Sequence, residues 1–244
     1  MLKLFQFLRD WSEVWALLIP LIIILIYKPL GRKVRPLVFY VIIAFLLNFL
    51  AVFVIEYYYL APLWLNEKGN NLYYNLHSFI MVVFFSWYIL TIRPNKYVLL
   101  LKAFLAIYIL FVLINFAFFE PTYLLSSRHF TAGSIVLLLM CLSYFFHSMQ
   151  DDSPINWIKH PSFIICTGVC LYQAVTFFVF LFIYPLYDDA YNKNLSFAML
   201  MMRVYQVVFV LFCILIAIGL YHYRYKQKKD ADLNNIIDKK PGYV

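Results

Sequence analysis

Long apolar runs separated by short polar breaks dominate the chain. Seven runs, at about 14–30, 37–60, 72–92, 96–118, 130–149, 161–185 and 196–222, are each long enough to cross a hydrocarbon core of about 30 Å at 1.5 Å per residue. Their apolar positions are continuous rather than alternating, so they read as helices and not as the tilted strands of a barrel. The pattern predicts an all-α polytopic membrane protein, a seven-transmembrane-helix bundle. Before the first run, Leu4, Phe5, Leu8, Trp11 and Trp15 fall near one helical face, which predicts an amphipathic interfacial segment over 1–13. The transmembrane domain is expected over 14–222, followed by a basic tail over 223–244 that is too short and polar to fold by itself.

Composition agrees with the pattern. Of 244 residues 65% are hydrophobic and 13% charged, whereas soluble domains carry about 25% charged residues. Charge adds an orientation. Lys28, Arg32, Lys33 and Arg35, then Arg93 and Lys96, then Arg224, Lys226, Lys228 and Lys229 fall on one side. The opposite loops hold chiefly Lys68, Arg128 and Lys193. The excess of cations on cytoplasmic loops therefore predicts an external N-terminus and a cytoplasmic C-terminus. The net charge of +8 follows from that topology and from attraction to anionic headgroups, so the expected partner is the lipid bilayer and not nucleic acid. The N-terminus has no small-residue cleavage site and is not expected to be a removed signal peptide.

Few residues carry chemistry. Cys141, Cys166, Cys170 and Cys213 lie inside runs, where thiols pack as small apolar groups. His147, His160 and His222 have no compact ligand spacing, and no metal or cofactor is expected. The exception is Arg203, inside the last run. An arginine at the centre of a span costs about 2.5 to 3.5 kcal/mol to insert, which the surrounding Leu, Ile, Phe and Val residues offset. Ser196, Met199, Arg203, Gln206, Val210, Cys213 and Ala217 recur at spacings of three and four, and this stripe is expected to face the bundle interior.

Further polar residues lie inside other runs. Counted at 1.5 Å per residue, Glu56, Asn75, His77 and Asn115 lie within about 4 to 8 Å of the outer ends, Arg203 at about 10 Å, and Gln173 and Gln206 near about 15 Å. His77 is roughly 200° around its helix from Asn75, so the two serve different neighbours. Two readings fit. Arg203 pairs with Glu56 while the amides bond between helices, or Arg203 binds a small anionic ligand in a pocket open to the outside, oriented by Glu56, Gln206 and Gln173.

Absences narrow the function. The last run has no lysine for a retinal Schiff base, and no NPxxY, HxxxH, GxSxG or HExxH pattern occurs. The stretches "DWSEVWALLIPLIIILIYKP" and "NNLYYNLHSF" resemble small seven-helix bacterial integral membrane proteins with no assigned activity, which implies a membrane fold and no site. The expectation is a sensory or accessory component of a bacterial inner (plasma) membrane, more an interaction protein than an enzyme. It would bind a small ligand or a membrane partner through its outer half and act on a signalling partner. A small-solute transporter is the alternative, and a lipid-modifying membrane enzyme comes third.

Overall fold

A computed structural model describes residues 11–28, 31–56, 71–92, 98–122, 124–150, 160–183 and 195–238, with the backbone alone for 55–56, 183, 195–198 and 226–238. The described residues form helices α1 (Ser12–Tyr27), α2 (Arg35–Glu56), α3 (Asn71–Ile92), α4 (Val98–Ile114), α5 (Ser127–Met149), α6 (Pro161–Phe178) and α7 (Leu195–Asp238). Two of them end in a wider π turn, α4 over Asn115–Phe119 and α6 over Val179–Ile183. Six helices are long and apolar enough to span a membrane, over Arg35–Val54, Asn71–Ile92, Val98–Phe119, Ser127–Met149, Pro161–Phe182 and Met199–Tyr225. Helix α1 is apolar but has only 16 residues. The 1–10 part of the expected interfacial segment lies outside the described residues, and the 223–238 part of the expected tail continues α7 as helix.

Local chemistry sets the ends. Ser126 caps α5 by accepting a hydrogen bond from the His129 backbone N–H, and Pro161 opens α6 where its missing N–H costs nothing. Helix α1 stops at Lys28, which takes a left-handed conformation with φ 43° and donates its N–H to the Ile24 carbonyl.

Packing produces a closed ring: α1 on α2, α2 on α3, α3 on α5, α5 on α6, α6 on α7, and α7 back on α1. Helix α4 lies outside this ring against α5 and α3. It is accordingly the least buried span, with Leu99, Ile107, Leu113 and Phe118 exposed. Small residues permit close approach where α6 meets α7. A Cβ added to Gly168 would meet Leu215 Cβ at 2.9 Å, and one added to Gly219 would meet Ile165 Cγ1 at 2.4 Å. Such contacts matter in lipid, where apolar surface alone does not drive helices together.

Candidate functional site

Two polar clusters organise the bundle. The first lies where the start of α3, the π turn of α4 and the start of α5 meet. Asn75 Nδ2 donates to the Thr122 and Leu124 carbonyls at 3.1 and 2.7 Å, and Asn75 Oδ1 accepts from the Ser126 backbone N–H at 3.2 Å. Asn115 Nδ2 donates to Glu120 Oε2 and to Ser126 Oγ, both at 3.1 Å, while the Ser126 hydroxyl donates to Glu120 Oε2. The π turn makes this geometry, because the Glu120 N–H closes onto the Asn115 carbonyl at 2.8 Å and brings the carboxylate back over Asn115. Arg128 Nε completes the set, 3.4 Å from Glu120 Oε1 on the exposed side.

His129 is fully buried beneath this cluster. Its Nε2 lies 3.1 Å from the Asn75 carbonyl and its Nδ1 lies 3.2 Å from the Tyr108 hydroxyl. A carbonyl can only accept, so Nε2 carries the proton and Nδ1 accepts from Tyr108. The ring is therefore engaged on both nitrogens and is not the base for Ser126, whose hydroxyl is committed to the carboxylate. A serine, a histidine and a glutamate stand close together here without forming a nucleophile and base. Their arrangement clamps residues 120–126 onto the helices.

The second cluster occupies the centre of the ring. Tyr40 of α2 bonds through its hydroxyl to His77 Nε2 of α3 at 3.1 Å. Tyr172 of α6 and Tyr205 of α7 meet hydroxyl to hydroxyl at 2.5 Å. Phe212 stacks on Tyr172 with ring centroids 4.9 Å apart, and Phe209 meets Tyr172 edge-on at 5.5 Å. Near this group stands Glu13, in the first turn of α1. Its carboxylate lies within electrostatic reach of the Tyr40, Tyr172 and Tyr205 hydroxyls and of the Cys213 thiol. Glu13 is half-buried, as are its neighbours Trp11 and Tyr205.

The depth of Glu13 follows from ring contacts along α1. Tyr27, at the far end of α1, meets Tyr221 edge-on at 5.3 Å, and Trp11 meets Phe49 of α2 at 6.1 Å. Glu13 stands 14 residues before Tyr27, about 21 Å along the helix axis, and so lies level with Val207 of α7, about 12 Å inside the Met199 end of its span. The carboxylate therefore stands below the Met199 end of the α7 span.

The residues singled out from sequence are dispersed. Asn75 and Asn115 belong to the clamp, and His77 belongs to the central cluster, so Asn75 and His77 do turn to different neighbours. Gln173 is buried, where its Oε1 accepts from Ser134 Oγ at 2.8 Å and its Nε2 approaches Met81 Sδ at 3.4 Å. Gln206 is half-buried. The expected stripe faces inward only in its later part: Cys213 and Ala217 are buried, whereas Met199 and Arg203 are exposed, which corrects the expectation for Arg203. The inward face of α7 is instead Phe209, Phe212, Cys213, Ile216 and Leu220, because burying two large rings outweighs gathering small polar groups. At the periphery the long arginine side chain can extend toward the polar headgroup zone. The side chain of Glu56 lies outside the described residues, and with it the expected pairing of Glu56 with Arg203.

Sequence reading missed Glu13. The signal was there, as a lone acid one position before the first apolar run, but an acid in a first helical turn ordinarily marks a solvated N-terminus. Comparison with protein-family models, with curated proteins and with solved structures finds no match.

Proposed function

We propose that this chain is a seven-span protein of a bacterial inner membrane, with its N-terminus outside and its C-terminus in the cytoplasm, acting as a sensory or accessory component. In this reading α1 is the seventh span. A small ligand is taken up inside the bundle at the Glu13 centre, and α7 carries the change to a partner. The observation that carries the proposal is the Glu13 carboxylate, half-buried within electrostatic reach of tyrosine hydroxyls and with no basic partner among the described residues. Ionisable groups at such depth are rare and mark functional sites. Helix α7 supports the output side. It supplies Tyr205, Phe209 and Cys213 to the centre and runs on for 13 residues beyond Tyr225, about 20 Å, as one unbroken helix.

Transport is the weaker reading, because the π turns of α4 and α6 fall at helix ends rather than at the midplane where transporters interrupt their helices. Lipid chemistry is weaker still, because Ser126 and His129 are engaged apart from each other.

Two measurements on the purified protein test the proposal. Native mass spectrometry should find a retained small molecule that Glu13→Gln loses. Tryptic cleavage at Lys226, Lys228 and Lys229 should differ in rate between the protein and Glu13→Gln. No retained species together with identical cleavage rates would overturn it.

A further inference from the structure

We propose that the ligand of the Glu13 centre is a small organic ammonium ion, bound through its N–H groups to the carboxylate and through its cationic face to the surrounding rings. This rests on the functional reading above and deepens it by naming the ligand chemistry.

The first argument is an imbalance of donors and acceptors. Glu13 offers two carboxylate oxygens and has no ion-pair partner among the described residues. Asn48 is buried on the same face of α2 as Tyr40, two turns further along. Its Nδ2 donates to the Ala44 carbonyl at 2.8 Å, while its Oδ1 has no partner among the described residues. Ser12 is buried beside Glu13, and its hydroxyl likewise has no partner there. The Glu13 carboxylate and Asn48 Oδ1 are thus acceptors, and the Ser12 hydroxyl a donor and acceptor, without a partner among the described residues. A group left in that state inside a low-dielectric bundle costs about 1–3 kcal/mol, and more when charged. A ligand carrying several N–H donors and a positive charge satisfies the carboxylate and has donors left for acceptors beside it.

The second argument separates cation types. An alkali or alkaline-earth ion takes about six to eight oxygens, commonly including backbone carbonyls. Around Glu13 the described backbone is continuous helix, so its carbonyls are engaged and only side-chain oxygens remain. Tyr205, Phe209 and Phe212 are instead gathered around Tyr172 with centroids 4.9 to 5.5 Å from it, and Phe209 and Phe212 lie 5.8 Å apart. Aromatic faces attract cations, by about 2 kcal/mol or more when desolvated, and accommodate the carbon body of an organic ammonium that a bare metal ion lacks.

The third argument is access. Glu13, Trp11, Tyr205 and Gln206 retain partial exposure, whereas Tyr40, Tyr172 and Phe209 do not. Glu13 and Tyr205 therefore form the open side of the cluster and the buried rings its closed side. That order suits a ligand held by its charged nitrogen.

Thermal unfolding of the full chain in nanodiscs of phosphatidylglycerol tests the inference, with phenethylammonium chloride as probe. Sodium chloride controls for ionic strength, and 2-phenylethanol for the apolar body. We expect saturable stabilisation by phenethylammonium alone, an affinity at least tenfold weaker in Glu13→Gln, and an unchanged response in Arg203→Gln. Equal shifts from sodium chloride or 2-phenylethanol, or an undiminished response in Glu13→Gln, would overturn it. Adding phosphatidylethanolamine identifies the source of the ammonium group. Competition with the probe points to the lipid headgroup, and its absence to a soluble amine. If native mass spectrometry finds a Glu13-dependent species with no ammonium group, this inference falls and the ligand-binding reading stands. If there is neither a species nor any probe response, both fall.

Discussion

Replacing Gly219 by alanine tests whether the α6–α7 interface is set by backbone proximity. The added methyl would lie 2.4 Å from Ile165 Cγ1, 2.8 Å from Ile165 Cδ1 and 3.1 Å from the Pro161 carbonyl oxygen. Ordinary carbon contacts sit at about 3.5–4.0 Å, so the helices must part by about 1 Å or Ile165 must leave its slot. Ile165 is only 1% exposed, and the Pro161 oxygen belongs to backbone, so neither yields easily. Overpacking of this kind costs about 1–3 kcal/mol. Alanine also recovers about 0.8–1.0 kcal/mol of helix propensity, which works in the opposite direction. The net expectation is a loss of about 1–2 kcal/mol, read from dodecyl sulfate titrations of the protein in mild detergent. The same substitution in an Ile165→Ala background removes the obstructing carbons and should cost nothing or stabilise, giving a coupling of the same size. Equal losses in both backgrounds, or no loss in either, would refute the reasoning.

The clamp predicts that Asn75→Leu costs about 2 kcal/mol, since three backbone groups lose their partner. Hydrogen exchange should rise over 120–126 before it rises elsewhere. Arg203→Gln, at an exposed position, should change stability by less than about 0.5 kcal/mol in the same titration, and a larger loss would mean that its charge is paired. Lys28→Gly should stabilise by about 0.5–1 kcal/mol, because a left-handed residue with a Cβ is strained and glycine is not. A neutral or unfavourable result would show that Lys28 makes a compensating contact.

Hydropathy made the helices legible almost to the residue in places. The run expected over 72–92 is Asn71–Ile92, and the run over 130–149 is Ser127–Met149. Rotation of the helices was not legible. In a soluble protein the polar face marks the outside, but lipid is as apolar as the core, so a span carries little contrast to orient it. The stripe through Arg203 follows the spacing of small and polar residues and is buried only at Cys213 and Ala217, whereas α7 is turned by Phe209 and Phe212. Periodicity could not reveal the clamp either, since Glu120 and Ser126 lie between helices and are brought together by a π turn. Glu13 escaped for a related reason: a window that discards charge begins α1 just after its most informative residue.

The two π turns, at Asn115–Phe119 and Val179–Ile183, finish α4 and α6 at the same end of the bundle. Each holds one residue more per turn than its helix needs. Rewinding by that residue would draw the chain inward and swing the residues beyond the turn by roughly 100°. In α4 the part that would swing is Glu120, the carboxylate that grips Asn115 and Ser126. The bonds from Asn115 and Ser126 to Glu120 therefore act as a latch that keeps the spare residue of α4 from being wound in.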